Sequence, residues 1–324
     1  MTSRRTVVVV SDIHYASPGE QARPAHETRV IQNPLLRLAV KLYRRHVWVG
    51  DPFAHNHLLD RFLELVGNPD RVVGNGDYSC DTAFVGLSDE AAFGSASTCL
   101  ARLRDRFGDR VAAVYGDHEL GKMSLFGGVG GLRLASWHRA RNDLALPPFW
   151  QIRDGCHVLM GVVSSLIALP VLEPETLAEE RPEWWRLRAE HLNQTGEAFA
   201  GLRPDERVQL FCHDPTALAF LWQLPEVRQR IQQVEFTIIG HLHTRLVLSA
   251  SRVLAGMPTL RFLGNSIRRM SLALHEAKVW RPFNVRLCPS LAGSALLKDG
   301  GYGCLELDPD GKRPTRWQVH PLPR

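Results

Sequence analysis

Apolar runs rich in valine and isoleucine recur along the chain, and an Asp or a His follows five of them within a residue or two. Such runs predict buried strands, and helically spaced apolar residues between them predict helices, so the pattern favours a succession of βαβ units. Carboxyl ends of parallel strands meet at one edge of a sheet. The polar residues expected to gather at that edge are Asp12, His14, Asp77, Asp117, His118, His213, His241 and His243.

The spacing of the runs predicts the remaining elements and one large domain over residues 1–324. Length alone would also allow two domains, but 44% hydrophobic and 23% charged residues suit one α/β core. We expect an inserted segment at about 16–56 and an antiparallel tail at about 284–324. The predicted elements are helices over 57–66, from a cap at Ser97 and Thr98 to Phe107, over 183–199 and over 215–224, strands over 157–163 and 259–265, and a hairpin of 303–308 with 316–322.

Charge and cysteine content narrow the partners and the compartment. A net charge of +5 favours anionic partners but is too small for a nucleic-acid-binding composition. Six cysteines lack C-x-x-C spacing and are expected to be reduced, as in a cytosolic protein. The four valines near the start are too few for a signal peptide, and no apolar run is long enough to span a membrane, so we expect a cytoplasmic protein.

The residues after the strands include a ligand set for metal ions. Four imidazoles and three carboxylates, without a thiolate, suit two divalent cations. A single Asp or His after a strand is more often a helix cap or a solvated loop residue, whereas a succession of them indicates a site. The expected metal ligands are Asp12, His14, Asp77, Asp117, His213, His241 and His243.

These clusters resemble the signature of the calcineurin-like metallophosphoesterase family, which reads D-x-H, G-D-x-x-D, G-N-H-[ED], a lone His and G-H-x-H. The corresponding segments here are 12–14, 76–81, 116–119, His213 and 240–243. Each motif alone is weak, but five in the family's order are specific. The clear departure is Asp117, where the family has Asn.

The resemblance implies an α/β fold with a central β-sandwich flanked by helices, and a dinuclear metal centre. The two ions would lie roughly 3.5–4 Å apart, and a hydroxide bridging them would attack phosphorus. His118 stands at the family's catalytic histidine and would protonate or stabilise the departing oxygen. By their place in the motifs, Asp12, His14 and His243 would hold the first metal, His213, His241 and Asp117 the second, and Asp77 both.

The donor set also bears on the metal and on the substrate. Imidazole with carboxylate predicts Mn²⁺ as activator, with Fe, Zn, Co and Ni as alternatives. The charge of Asp117 should hold the second metal tightly but attract a dianionic monoester less, so we expect preference for a phosphodiester or phosphoanhydride. The substrate is expected to be a phosphorylated small molecule or lipid. The alternatives are a phosphomonoesterase, a nuclease and a non-catalytic scaffold of the same fold.

Three other features allow more than one interpretation. Asp81 and Glu119 could orient a ligand imidazole, and Glu119 could equally be a first-turn helix acid. Asn265 and Ser266 resemble residues that often follow G-H-x-H in the family, although an ordinary turn is expected there. The glycine-rich stretch 127–131 favours a flexible active-site flap over a phosphate-binding loop.

The inserted segment contains a predicted helix over 33–48, starting at Asn33 and Pro34. Two interpretations are open: the leucines dock on the core and leave a solvated basic face, or the helix is a cap that contacts an anionic substrate, a membrane surface or a partner. Peripheral association with an anionic membrane is therefore an alternative to a purely soluble state. The apolar stripe is Leu35, Leu38, Ala39 and Leu42, and the basic stripe is Arg37, Lys41, Arg44 and Arg45.

Overall fold

Two five-stranded sheets lie at the centre of the molecule. This computed structural model describes residues 4–23, 26–48, 50–80, 84–124, 126, 128–258, 265–297 and 299–323, with the backbone alone at 26–27 and 265–270. The strands are β1 Arg5–Val10, β2 Arg71–Asn75, β3 Val111–Val114, β4 Trp150–Asp154, β5 His157–Val162, β6 Arg207–Cys212, β7 Val234–Ile239, β8 Val285–Leu287, β9 Gly301–Leu307 and β10 Arg316–Pro321. The strand orders are β10-β9-β1-β2-β3 and β4-β5-β6-β7-β8.

Strand β1 is buried on both faces, which explains its uninterrupted valines. Val7 and Val9 lie in the cluster between the sheets, together with Phe211 of the second sheet. Val8 and Val10 lie in the larger cluster that the strands form with the flanking helices. A strand covered on both sides needs apolar residues at every position rather than at alternate ones.

Helices cover the outer faces of the sandwich. Phe62, Leu100 and Trp184, each from a different long helix, belong to the outer cluster. The expected β-sandwich flanked by helices is thus confirmed. The α-helices are α1 Pro18–Gln21, α2 His26–Arg29, α3 Pro34–His46, α4 Asn56–Leu65, α5 Glu90–Phe107, α6 Asp117–Leu120, α7 Leu134–His138, α8 Ser164–Ile167, α9 Leu169–Leu172, α10 Arg181–Ala200, α11 Leu218–Leu221, α12 Pro225–Gln229, α13 Arg245–Val253 and α14 Asn265–Glu276.

Two predicted helix starts were wrong. Helix α5 begins at Glu90, because the side chain of Asp89 accepts hydrogen bonds from the backbone N–H groups of Ala91 and Ala92. Thr98, expected near a cap, lies inside this helix and donates its hydroxyl proton to the carbonyl oxygen of Gly94 (2.8 Å). At Pro215 the chain first makes a 3₁₀ turn, and α-helix follows only over Leu218–Leu221.

The C-terminal segment is antiparallel only in part. Strands β9 and β10 form the predicted hairpin, and β9 continues it by pairing antiparallel with β1. Strand β8 instead pairs parallel with β7, because helices α13 and α14 return the chain to the same edge before β8 begins. Residues 259–264 of the predicted strand 259–265 lie outside the described residues, and Asn265 begins α14 instead of the expected turn.

Helix α3 of the inserted segment does not dock on the core through its leucines, as one of the two interpretations required. Asn33 caps it as predicted, by accepting from the N–H groups of Leu35 and Leu36. Three of its four leucines nevertheless face outward: Leu35, Leu38 and Leu42 are 77%, 54% and 51% exposed. We call these three residues the leucine face of α3.

The inward side of α3 is partly basic. Arg37 donates from Nε to the carbonyl oxygen of Ile31 (2.8 Å), and Arg44 is half-buried near Cys80. Burial lowers the pKa of Arg44 to about 10, which still leaves it charged at neutral pH. Only Lys41 and Arg45 of the predicted basic stripe are exposed. The helix therefore turns Arg37 and Arg44 toward the protein and its leucine face toward its surroundings.

No helix in the part of the chain that the structure describes is both long and apolar enough to cross a membrane. The six cysteines form no disulfide with one another. A cytoplasmic location stays a prediction.

Candidate metal centre

Ends of five strands bring the predicted ligands to one edge of the sandwich. Three strands come from the first sheet and two, β6 and β7, from the second. The loops after β1 and β2 are joined by backbone hydrogen bonds, from Asp12 N–H to Gly76 O and from His14 N–H to Asp77 O, both 3.1 Å. The residues so placed are Asp12 and His14 after β1, Asp77 after β2, Asp117 and His118 after β3, His213 after β6, and His241 and His243 after β7.

Five of these residues have a left-handed backbone. The angle φ is 49° at Asp12, 50° at His14 and 57° at Asp77, His241 and His243. Among the described residues other than glycine, only Ala145 and Asn284 share this conformation. A positive φ is unfavourable for a residue with a Cβ, and such residues concentrate at functional sites. The strain marks this edge as the place where the surrounding fold imposes a special geometry.

Glycines precede several of the ligands because the strand ends approach one another closely. A Cβ on Gly116 would collide with Oδ1 and the backbone nitrogen of Asp77. A Cβ on Gly240 would collide with the side chains of Ser11 and Asp12. The glycines therefore let the loops of both sheets converge on one point.

A first group consists of Asp12, His14 and His243. His243 Nε2 lies 3.3 Å from Asp12 Oδ1 and 3.4 Å from His14 Nε2. The Asp12 carboxylate is held in place because it accepts hydrogen bonds from Ser11 Oγ (2.6 Å) and from the backbone N–H of His241 (3.1 Å). These three side chains offer ligand atoms within 4.8 Å of one another.

A second group consists of Asp77, Asp117, His213 and His241. His213 Nε2 lies 3.3 Å from Asp77 Oδ2 and 3.6 Å from Asp117 Oδ1. His241 Nδ1 lies 3.4 Å from Asp117 Oδ1. His213 Nδ1 lies 2.6 Å from the carbonyl oxygen of Asn75, so Nδ1 donates and Nε2 is directed at the carboxylates.

Asp77 also belongs to a third group, with His14 and His118. His118 Nε2 lies 3.7 Å from Asp77 Oδ2, and the backbone N–H of His118 donates to Asp77 Oδ1 (3.1 Å). His118 Nδ1 is 2.8 Å from the carbonyl oxygen of Cys80. Asp77 is thus the carboxylate that adjoins the other groups.

Opposite charges govern protonation at this edge. Burial alone would raise the pKa of Asp12, but attraction to His243 and His213 outweighs it, and the pKa is lowered. Burial would lower the pKa of His213, yet the negative charges of Asp77 and Asp12 raise it well above the usual value. Attraction between the carboxylates and these imidazoles therefore keeps the carboxylates ionised.

The donor atoms fit divalent cations. Asp117 Oδ1 and His213 Nε2 are buried and, among the described residues, have no hydrogen-bond partner. Unpaired buried polar atoms are costly, and a cation between carboxylates and imidazoles would satisfy both. Asp117 points into the group, so its departure from the family's Asn does not remove it from the site.

The sequence matches a family model described as calcineurin-like phosphoesterase over residues 5–245. The chain belongs to this family. Its Asp and His clusters indicate divalent metal binding. No protein in a search of curated sequences matches this phosphoesterase.

Two solved structures are similar to this phosphoesterase at low identity. Purple acid phosphatase PPD1 from yellow lupin seeds shows 12% identity and a TM-score of 0.37 over 75% of this chain, which spans 38% of the lupin enzyme's length. A predicted phosphoesterase from Streptococcus pneumoniae TIGR4 shows 9% identity and a TM-score of 0.29, with 99% of this chain and 100% of that chain covered. The family assignment rests on the sequence match.

Glu119 holds the backbone of two loops at the site through hydrogen bonds. Its carboxylate accepts hydrogen bonds from the N–H groups of Gly116 (2.7 Å), Tyr78 (2.9 Å) and Asp77 (3.0 Å). Burial and the charge of Asp77 raise its pKa to about 7. Of the two interpretations, the first-turn acid of α6 is the one observed, because its oxygens contact backbone and not an imidazole. Asp81 lies outside the described residues.

Three residues at the site were not predicted from the sequence. Lys122 Nζ contacts His118 Nε2, and Asp214 Oδ2 lies 4.0 Å from His241 Nε2. The ring of Trp48 stacks on His243 with a centroid distance of 4.6 Å. Lys122 follows His118 by four residues but lies beyond the end of α6 at Leu120, so helical spacing did not predict this contact. Trp48 comes from the inserted segment, and no local pattern connects it with His243.

Proposed function

We propose that this phosphoesterase holds two divalent cations, Mn²⁺ by preference, and hydrolyses a phosphodiester or phosphoanhydride more readily than a monoester. The observation that best supports two cations is that Asp77 adjoins both His14 and His213. A carboxylate can offer one oxygen to each of two cations. Asp12, His14 and His243 would hold one cation, and Asp117, His213 and His241 the other. When bound, the cations supply a nucleophilic water and stabilise charge on the phosphoryl oxygens.

His118 is proposed to supply the proton to the departing oxygen. Its Nδ1 donates to Cys80 O, so Nε2 is the atom that can hold or release a proton toward the site. Lys122 contacts that same nitrogen, which adds a positive charge beside it. An imidazole and an ammonium thus stand together where a departing oxygen would gain negative charge.

The preference for a diester or anhydride follows from charge. Attraction to nearby histidines lowers the pKa of Asp12, Asp77 and Asp117 against the effect of burial, so all three are ionised. Three carboxylates leave about one net positive charge on a site with two divalent cations, whereas Asn at position 117 would leave about two. Coulomb attraction scales with the charge of the substrate. When the site becomes less positive, a dianionic monoester therefore loses more attraction than a monoanionic diester does.

Asp117→Asn is expected to weaken binding of the second metal by about tenfold, because a neutral amide replaces a carboxylate ligand. It should also raise the ratio of monoester to diester turnover, because the site becomes more positive. Calorimetric Mn²⁺ titration measures the first effect. Rates with p-nitrophenyl phosphate and bis(p-nitrophenyl) phosphate measure the second.

The control is Asp214→Asn, which removes a nearby charge from a residue outside the two ligand groups and keeps an N-cap side chain for Thr216. It should leave the metal stoichiometry unchanged. An unchanged rate ratio in Asp117→Asn, together with tighter metal binding, would refute the charge argument.

A further inference from the structure

The leucine face of α3 is an exposed apolar surface next to positive charge. Lys41 and Arg45 are both exposed on the same helix. Lys41 lies between Leu38 and Leu42 in the chain, and Arg45 follows Leu42. The sequence of α3, PLLRLAVKLYRRH, contains no acidic residue. A helix with an apolar stripe and a cationic border is the composition of segments that lie in the plane of a membrane surface.

We propose that α3 docks on the surface of an anionic lipid bilayer, with the leucine face inserted among the lipids and Lys41 and Arg45 at the headgroups. The positive charges of Lys41 and Arg45 favour an anionic bilayer over a second copy of the chain as the partner of this face. In a two-fold contact between two copies of the chain, the same face would meet itself and bring Lys41 and Arg45 close to their own equivalents. An anionic headgroup layer offers the opposite charge over the whole length of the helix.

A loop with exposed leucines adjoins the C-terminal end of α3. The backbone N–H of Leu296 donates to the carbonyl oxygen of Val47 (3.3 Å), and the backbone N–H of Ala295 donates to the carbonyl oxygen of Trp48. Leu296 and Leu297 are themselves exposed. Two further exposed leucines therefore lie beside the C-terminal end of α3.

The same end of α3 reaches the metal centre, because Trp48 stacks on His243. Docking of α3 would therefore hold the centre beside the bilayer surface. Binding to lipid and hydrolysis are separate properties, and each can be measured without the other.

Cosedimentation with vesicles tests the proposal on the full chain. The parent protein should sediment with vesicles of phosphatidylglycerol and phosphatidylcholine at low salt, less at high salt, and little with pure phosphatidylcholine. The double variant Lys41→Gln with Arg45→Gln should bind about 25-fold more weakly, since each basic residue near an anionic surface contributes about fivefold. Leu35→Ser with Leu42→Ser should weaken binding by about tenfold or more.

Matched controls lie at the opposite edge of the sandwich. Leu65, 54% exposed, ends α4 before β2, and exposed Arg228 and Lys312 lie ahead of β7 and in the β9–β10 turn. Leu65→Ser, and Arg228→Gln with Lys312→Gln, should each leave vesicle binding unchanged. All variants should hydrolyse a soluble diester at the parent rate, so a failure of docking is distinguishable from a failure of the proposed function.

Three results would overturn the proposal. The first is no binding of the parent to anionic vesicles at low salt. The second is an equal loss of binding in the α3 variants and the control variants. The third is a parent dimer in size-exclusion chromatography that Leu35→Ser with Leu42→Ser converts to a monomer, which would make a second copy the occupant of this face.

Discussion

Asp77→Asn is expected to lose bound metal and catalytic activity together, with turnover falling by more than about 10³-fold. The Asp77 carboxylate accepts a hydrogen bond from the backbone N–H of His118, and its Oδ2 lies 3.3 Å from His213 Nε2. An amide of the same shape removes the negative charge and turns one of the two oxygens into a donor. Metal content by atomic emission and turnover of a diester measure both losses.

The matched control is Asp89→Asn, which changes an Asp that caps α5, a role that Asn fills equally well. Asp89 also pairs with Arg23, far from the ligand groups, so this variant should keep metal and activity. Removal of metal from the parent by chelation should abolish turnover, and added Mn²⁺ should restore it. Two metals and full turnover in a folded Asp77→Asn protein would refute the shared carboxylate.

His118→Ala should keep both metals and lower kcat by about 10²–10⁴-fold. The imidazole is fixed by its contact with Cys80 O and directs Nε2 to the edge of the site, so its removal takes away a proton donor and not a strong ligand. The loss should be largest for alkyl esters, whose departing oxygen needs a proton. It should shrink for p-nitrophenyl esters, which leave as stable anions.

His138→Ala, at an exposed position on α7, controls for loss of a histidine as such and should be fully active. Two outcomes would contradict the assignment. Full activity of His118→Ala on alkyl esters would remove the proton-donor role. Loss of one metal in His118→Ala would make His118 a ligand, consistent with its place in the group with His14 and Asp77.

The gathering of the predicted ligands at one edge was predictable because it depends on local pattern and simple topology. An apolar run followed by Asp or His gave the strand ends, and both sheets direct those ends to one edge. Helix α3 and its cap at Asn33 were also predicted. These features depend on neighbours in the chain, which periodicity and capping rules describe well.

Orientation and distant contacts were not predictable in the same way. The leucines of α3 were as compatible with docking on the core as with exposure, because periodicity gives the stripe but not what lies opposite it. Contact between Trp48 and His243 joins segments far apart in the chain. Glu119 accepts hydrogen bonds from three backbone N–H groups that become neighbours only after β2 and β3 pair.

The left-handed backbone of five predicted ligands has a thermodynamic consequence. At about 1 kcal/mol for each residue, the five together cost roughly 5 kcal/mol, which is comparable to the whole free energy of unfolding of a small domain. Cations that bind only the folded chain add stability in proportion to the logarithm of their free concentration. Metal supply should therefore govern how much folded protein a cell retains, and not only how active each molecule is.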